Sequence, residues 1–132
     1  LLARLRYAKD LTQVLAAAQY EGLIGADAAE ALAQRLQGLL NLPQVAPYFS
    51  DAWDALRELD LLDANGDLHR PDRVCLQGKR AVVLDYKTGQ PSPQHALQVQ
   101  RYLQALAQMP LDATEGWLLY LDSGDAVRVT LP

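Results

Sequence analysis

The sequence has almost no cysteine, no long apolar run and no excess of positive charge. Cys75 is the single cysteine among 132 residues, so the chain can form neither an internal disulfide nor an all-cysteine zinc or iron–sulfur site. No apolar run approaches the ~20 residues that a membrane helix needs, and no signal peptide is visible. These absences favour a cytoplasmic protein with a buried thiol and no membrane attachment.

The charge balance also excludes a class of protein. The formal net charge is −4. Residues 1–70 carry six Lys or Arg against ten Asp or Glu, and residues 71–132 carry six of each. An autonomous nucleic-acid-binding domain normally presents a strongly basic surface. If this chain acts on a nucleic acid, we therefore expect another domain or protein to hold that nucleic acid.

The length fits one domain. A chain of 132 residues can bury a sizeable core, and no repeat, linker or low-complexity segment divides it. The first residue is Leu1 rather than Met, so we expect the chain to be a piece excised from a longer protein. We expect a single domain over residues 1–132, with a helical part at 1–50 and a core that contains the strands at 54–132.

Apolar residues at helical spacing predict helices in the first forty residues. Gly22 and Gly25 predict a break between two of these helices. Asp27 and Glu30 resemble a capping box, with Asp27 as the N-cap of the second helix, and Pro43 is expected to end that helix.

The rest of the chain predicts strands and one further helix. Asn65-Gly66 predicts a type I′ hairpin turn. Ser92 is the expected N-cap of a helix with Pro93 at its first position, and this helix continues to about Met109. The candidate strands are residues 56–62, 68–76, 79–87, 117–121 and 126–131. Helices, three meandering strands, a helix and two closing strands predict an α/β domain built on one mixed sheet that is flanked by helices.

Two charged side chains stand at the end of an apolar strand. Asp85 and Lys87 follow the run Ala81–Leu84, and because side chains alternate along a strand they share one face. A two-residue turn at Gln77-Gly78 would bring Asp72 to the same face as Asp85, one diagonal step away. A four-residue loop preserves this arrangement, whereas a three-residue loop would turn Asp72 to the other face.

In detail, the two-residue turn pairs Leu76 with Lys79 and places Asp72 opposite Val83.

Two carboxylates and a lysine in this arrangement suit hydrolysis that depends on a divalent cation, because such cations prefer oxygen ligands. A bound cation lowers the pKa of its water and neutralises charge on a phosphoryl group. The alternative is a surface ion pair between Asp85 and Lys87, with Asp72 in an ordinary turn.

Three motifs in order carry a family resemblance: Pro71-Asp72, Asp85-Tyr86-Lys87-Thr88-Gly89, and Gln98-x-x-x-Tyr102. This pattern resembles the PD-(D/E)xK nuclease superfamily, and within it the RecB-like nuclease domain at the C-terminus of AddA- and UvrD-type bacterial repair helicases. The resemblance implies a restriction-endonuclease-like fold with its nuclease core at 54–132. It also implies a Mg²⁺- or Mn²⁺-dependent deoxyribonuclease that acts in DNA repair and recombination, and it leaves exonuclease and endonuclease action open.

The resemblance assigns roles to four residues of the strands. Asp72 and Asp85 would be the metal-binding acids, the backbone carbonyl of Tyr86 a further ligand, and Lys87 the catalytic lysine. Glu58 resembles a family glutamate, but the expected register puts it on the face opposite Asp72, which argues against a ligand role.

The helix contributes a second set. Gln98 and Tyr102 would correspond to the family's helix motif near the DNA strand, and since they are four residues apart they share a helix face. His95 lies one turn earlier on the same face. The alternative is that this helix is simply amphipathic and that Tyr102 packs on the sheet.

One expected ligand is missing. RecB-like nucleases supply a metal-binding histidine from the first helix, just before a stretch that resembles residues 1–10. The two histidines of this chain are His69 and His95, and neither matches that position. The resemblance therefore implies an incomplete metal site and an inactive fragment. The alternative function is a catalytically silent nuclease-fold module with a structural or DNA-guiding role in a helicase complex.

The resemblance also implies partners: DNA, delivered as a single strand by helicase domains of the same parent chain, in a bacterial cytoplasm. Some relatives bind an iron–sulfur cluster through four cysteines, which this chain does not have. Gly78-Lys79 lacks the remaining residues of a phosphate-binding loop. We therefore expect neither an iron–sulfur cluster nor ATP bound by this chain itself.

Overall fold

The computed structural model describes residues 5–22, 25–57 and 59–132. These residues form three α-helices and two short 3₁₀ turns, Ala8–Asp10 and Ala46–Phe49. The helices are α1 (Leu11–Tyr20), α2 (Ala26–Leu40) and α3 (Pro93–Ala107). The strands are β1 (Asp54–Arg57), β2 (Leu61–Leu62), β3 (Leu68–His69), β4 (Arg73–Gln77), β5 (Arg80–Lys87), β6 (Asp112–Tyr120) and β7 (Asp125–Thr130). None of the helices described combines the length and apolar character that crossing a membrane requires.

Five of the strands form one mixed sheet in the order β1-β4-β5-β6-β7. Neighbours are antiparallel except for β5 and β6, which run parallel. Parallel neighbours need a crossover connection, and α3 provides it. This architecture confirms the expected mixed α/β, restriction-endonuclease-like fold.

The sheet separates two apolar cores. Val82 and Leu84 of β5 face a core built with the N-terminal helices, whereas Ala81 and Val83 face a core built with α3. The strand is therefore apolar on both faces, as a central strand must be. Asp85 continues the α3 face of this strand because side chains alternate.

The start of α3 agrees with its sequence signals. The Ser92 hydroxyl accepts a hydrogen bond from the Gln94 amide at 3.3 Å, and Pro93 occupies the first turn. The N-cap predicted for α2 is wrong, because Gly25 rather than Asp27 occupies that position and makes no side-chain cap. Asp27 lies inside the first turn instead. A carboxylate at this position stabilises the helix because it lies near the positive end of the helix dipole.

Two of the predicted strands are interrupted. The segment expected as 56–62 covers only the end of β1 and the separate β2, and the segment expected as 68–76 is divided into β3 and β4. The β2 and β3 strands form a small hairpin of their own. Pro71 lies in the break before β4, where its missing N–H removes no ladder hydrogen bond.

The hairpin loop differs from the predicted type I′ turn. Leu62 pairs with Leu68, so the loop comprises residues 63–67 rather than two residues. The Asp63 carboxylate accepts hydrogen bonds from the amides of Asn65 and Asp67, both at 2.9 Å. Gly66 has the expected positive φ of 84°. The two hydrogen bonds that the Asp63 carboxylate accepts hold the ends of this longer loop together.

Candidate metal-dependent active site

The turn between β4 and β5 determines whether Asp72 reaches Asp85. Gln77 pairs with Arg80, so the two-residue turn is Gly78-Lys79 and not Gln77-Gly78 as predicted. The true register differs from the expected one by two residues. Since side chains alternate with a period of two, this shift keeps Asp72 on the predicted face.

The same register, extended by one residue, places Asp72 directly opposite Asp85 rather than opposite Val83. The Asp72 amide donates a hydrogen bond to Asp85 Oδ1 at 3.2 Å. The Tyr86 amide donates to Asp72 Oδ2 at 2.8 Å. Each carboxylate is thus held by the backbone of the opposite strand, and the two acids lie side by side.

Lys87 and Gln98 complete this cluster. Lys87 Nζ lies 2.8 Å from Asp85 Oδ2 and donates to Gln98 Oε1 at 2.5 Å. Asp85 is 3% exposed and is one of the two buried charged residues among those described. A carboxylate at this depth needs a cation or several donors, and Lys87 supplies the charge. The reading of Asp85 and Lys87 as an ordinary surface pair does not fit this burial.

The surroundings of Asp72 disfavour its ionised form. Burial and the neighbouring Asp85 carboxyl together raise the pKa of Asp72 to about 7, although the hydrogen bond from the Tyr86 amide and the charge of Lys87 act in the opposite direction. Two adjacent carboxylates repel each other when both are ionised. Lys87 offsets part of this repulsion, and a divalent cation between the two acids would offset more of it.

The donor set fits a hard divalent cation. Mg²⁺ is commonly held by one or two carboxylates, with water and substrate phosphate oxygens completing its coordination. Asp72 and Asp85 provide the two carboxylates. The N–H and C=O of a strand residue point toward the same neighbour, so the Tyr86 carbonyl also faces the edge that Asp72 occupies. Within residues 5–22, 25–57 and 59–132, no group of three or more His, Cys, Asp or Glu side chains could hold a metal ion.

Tyr102 borders the two acids from α3. It is 4% exposed and packs in the core between α3 and the sheet. Burial raises the pKa of its hydroxyl to about 12, and the charges of Asp85 and Asp72 contribute to that rise. The ring of Tyr102 therefore packs between α3 and the sheet, as one of the two alternatives predicted. Its hydroxyl is also affected by the negative charges of Asp85 and Asp72.

Each of the two histidines contacts side chains other than the carboxylate pair. His95 Nδ1 lies 3.0 Å from the Tyr120 hydroxyl, and Tyr120 is the β6 partner of Lys87. His69 Nε2 lies 2.8 Å from Asp63 Oδ2. The His69 ring meets Tyr102 edge-on, with 6.0 Å between ring centroids. Glu58 lies outside the described residues.

A buried cation behind the site was not expected from the sequence. Arg73 follows Asp72, is 0% exposed and points to the opposite face of the sheet. Its guanidinium donates to the carbonyls of Leu5 at 2.6 Å, of Tyr48 at 3.0 Å and of Arg6. It also stacks on Phe49, 4.5 Å from the ring centroid. An arginine next to an acidic residue in a strand normally indicates a surface position, so the sequence held no signal for this role.

The comparison with protein families agrees with the geometry. A sequence model of the PD-(D/E)XK nuclease superfamily matches residues 7–130. The chain belongs to this superfamily. Members of the PD-(D/E)XK superfamily are nucleases that typically use divalent metals, which agrees with the paired carboxylates.

A search of curated proteins found no match. Among solved structures, one described as "Crystal structure of SSO0001" is similar to this PD-(D/E)XK domain, with a TM-score of 0.46 and 19% sequence identity. The similarity covers 96% of this chain and 67% of that one.

Proposed function

We propose that this PD-(D/E)XK domain hydrolyses phosphodiester bonds of DNA with the help of a divalent cation. The observation that carries the proposal is the convergence of Asp72, Asp85 and Lys87, with Gln98 against the lysine, at one end of β4 and β5. Asp72 and Gln98 lie 26 residues apart in the sequence. The four side chains come together only in the folded domain.

Each residue has a role in this proposal. Asp72 and Asp85 would hold Mg²⁺ or Mn²⁺ together with the Tyr86 carbonyl, and the bound ion would supply an activated water and charge neutralisation. Lys87 places a positive charge beside the acids, where it would stabilise the negative charge that develops on the phosphate. Gln98 fixes the Lys87 amine through their hydrogen bond, so the charge is in position before substrate binds.

We also propose a biological setting. The domain would act within a bacterial helicase–nuclease in double-strand break repair or recombination, and helicase domains of its parent chain would deliver single-stranded DNA. The net charge of −4 supports delivery by another domain, because a chain with this charge attracts DNA weakly.

The decisive experiment measures degradation of linear single-stranded DNA in Mg²⁺ or Mn²⁺. We expect the full gene product to cleave DNA, and Asp85→Ala and Lys87→Ala each to lower the rate at least about 100-fold, as removal of one stabilising group at a reaction centre commonly does. The matched controls are Asp112→Ala and Lys79→Ala, which remove the same charges from exposed positions at the opposite end of the sheet. Both controls should retain the parental rate.

The result can contradict the proposal in two ways. Equal activity in the site variants and the parent would mean that another protein in the preparation cleaves the DNA. Absence of cleavage by the full gene product, even with helicase and ATP supplied, would reject the nuclease. DNA binding in that second case would instead establish the silent, DNA-guiding module.

A further inference from the structure

A second polar link joins α3 to the sheet beside the contact between Lys87 and Gln98. His95 Nδ1 lies 3.0 Å from the Tyr120 hydroxyl. His95 precedes Gln98 by three residues, so the two share one face of α3. Tyr120 packs on the α3 side of the sheet and is the β6 neighbour of Lys87. The two links therefore lie next to each other, at the end of the sheet that carries the acids.

The Tyr120 hydroxyl determines which ring nitrogen of His95 carries the proton. Tyr120 is 3% exposed, and a buried hydroxyl that donates no hydrogen bond costs free energy. Within residues 5–22, 25–57 and 59–132, His95 Nδ1 is the one hydrogen-bond partner of this hydroxyl. The hydroxyl is therefore satisfied when it donates to Nδ1, and Nδ1 must then be the unprotonated nitrogen. In this neutral tautomer the N–H is on Nε2.

The Nε2 side of His95 is open to a ligand. The two ring nitrogens of an imidazole point in different directions, so Nε2 points away from the Tyr120 hydroxyl. His95 is half-buried, and no hydrogen bond to Nε2 forms in the part of the chain that the structure describes. His95 is also the third residue of α3, where the positive end of the helix dipole favours a neutral imidazole and an anionic ligand.

The strand neighbours of Tyr120 carry opposite charges. Lys87 pairs with Tyr120 on β5, and Asp125 pairs with it on β7. Asp125 is exposed, so water screens its charge. The Asp122 carboxylate of the following turn accepts a hydrogen bond from a backbone amide at 2.7 Å. An anion that binds His95 is therefore expected to approach from the side of Lys87.

We propose that His95 Nε2 donates a hydrogen bond to a phosphate oxygen of the bound DNA strand, adjacent to the phosphate at Lys87. In this proposal Tyr120 is the positioning residue, because its hydroxyl holds His95 in the tautomer that presents the N–H. About one helical turn, roughly 5 Å along the axis, separates His95 from Gln98. One strand can therefore contact His95 and Lys87 together. This inference rests on the proposed nuclease function for its substrate, while the binding itself is measured without cleavage.

The first test is the affinity for a short single strand with a terminal fluorescein, measured by fluorescence anisotropy in Ca²⁺. We expect His95→Ala to raise Kd about tenfold, the lower end of the effect of losing a hydrogen bond to a charged group. The matched control is Gln94→Ala, which shortens an exposed side chain in the same helical turn. This control should leave Kd within about twofold of the parental value.

Two conservative variants locate the donor within the ring. The amide of glutamine reaches near the position of Nε2, whereas the amide of asparagine reaches near Nδ1. We therefore expect His95→Gln to raise Kd less than about threefold and His95→Asn to raise it about tenfold. This contrast also tests the proposal if His95→Ala unfolds, which thermal unfolding of each variant checks. Equal affinities of the two variants would overturn the contact through Nε2.

The salt dependence of binding distinguishes a neutral donor from a cation. A neutral N–H displaces no counterion from DNA, so the effect of His95→Ala on Kd should be equal at low and high salt. An effect that disappears as the salt concentration rises would show attraction by a charged imidazole, and would overturn the assigned tautomer.

The positioning role of Tyr120 is tested with Tyr120→Phe, which keeps the ring and removes the hydroxyl. We expect Kd to rise about threefold, within the range for one neutral hydrogen bond, and to rise no further when this change is added to His95→Ala. Long-range proton–nitrogen NMR spectra at alkaline pH should show the His95 proton on Nε2 in the parent and both tautomers in Tyr120→Phe. The control is Tyr20→Phe, which changes a tyrosine that is 94% exposed. Additive losses with an unchanged tautomer would overturn the positioning role.

The outcomes separate this inference from the nuclease proposal. Parental affinity in folded His95→Ala would overturn the phosphate contact, while the loss of cleavage in Asp85→Ala would still support the nuclease. Weakened binding in folded His95→Ala, without any cleavage by the full gene product, would support the contact and reject the nuclease.

Discussion

Asp72 lies beside Asp85 in the folded sheet, and this partly buried position shifts the pKa of Asp72. The backbone amides of Asp72 and Tyr86 bind the two carboxylates across the pair of strands. The pKa of Asp72 nevertheless rises to about 7, because burial and the neighbouring acid outweigh the amide hydrogen bond. The ordinary pKa of an aspartate is about 3.9, so the folded protein holds this proton far more tightly than the unfolded chain does.

This difference predicts a pH dependence of stability in metal-free buffer. Between pH 4 and pH 7 the folded state binds more protons at Asp72 than the unfolded state, so the contribution of Asp72 to the free energy of unfolding decreases as pH rises. That contribution is fully present below about pH 4 and lost as pH passes 7. Asp72→Asn cannot titrate, so we expect the variant to gain stability relative to the parent from pH 5 to pH 8.

Urea unfolding of both proteins at these two pH values in EDTA measures the effect. Asp112→Asn is the control, because it changes an exposed aspartate at the other end of the sheet. A stability difference between Asp72→Asn and the parent that stayed constant with pH would refute the assigned titration.

At the scale of the elements, the contact between α3 and β6 determines how the helix that carries Gln98 lies on the sheet. A Cβ atom added to Gly116 would lie 2.5 Å from Val99 Cγ1 and 3.3 Å from the Val83 carbonyl oxygen. Val99 is 0% exposed and follows Gln98 in α3. The glycine thus permits the close approach that brings Gln98 to Lys87.

We expect Gly116→Ala to lower the free energy of unfolding by about 1–3 kcal/mol, because overpacking a filled core forces side chains and backbone to shift. Gly38→Ala is the matched change. Gly38 lies within α2 with nothing near its added Cβ, so this substitution should raise stability by about 0.5–1 kcal/mol. Chemical denaturation measures both, and equal effects of the two substitutions would contradict the packing argument.

At the scale of the whole molecule, the negative net charge would limit the binding of the proposed DNA substrate. The protein carries 12 basic and 16 acidic residues, and Lys87 is the cation assigned to the reacting phosphate. One phosphate contact predicts a slope of about −0.7 when the logarithm of the association constant for a single strand is plotted against that of salt concentration. Lys87→Ala should bring this slope close to zero.

Anisotropy titrations in Ca²⁺ at several salt concentrations give the slope, with Lys79→Ala as the control that should not change it. A parental slope as steep as about −5 would require many more phosphate contacts than the assigned cation provides, and would contradict this expectation.

Much of the site follows from local pattern. The alternation of the β5 residues places Asp85 and Lys87 on one face, and a short turn places Asp72 on that face in either of the two even registers. Ser92-Pro93 determines where α3 begins. These features depend on neighbours within a few residues, so a local sequence pattern is enough to predict them.

The remaining features of the site arise from contacts between distant parts of the chain. The register of β4 on β5, the hydrogen bond from Lys87 to Gln98 and the burial that raises the pKa of Asp72 all depend on packing between elements. Arg73 is the extreme case, since its carbonyl partner at Leu5 lies 68 residues away in the sequence. A local pattern cannot encode a distance across such a separation, because that distance is set by how the whole sheet and its helices pack.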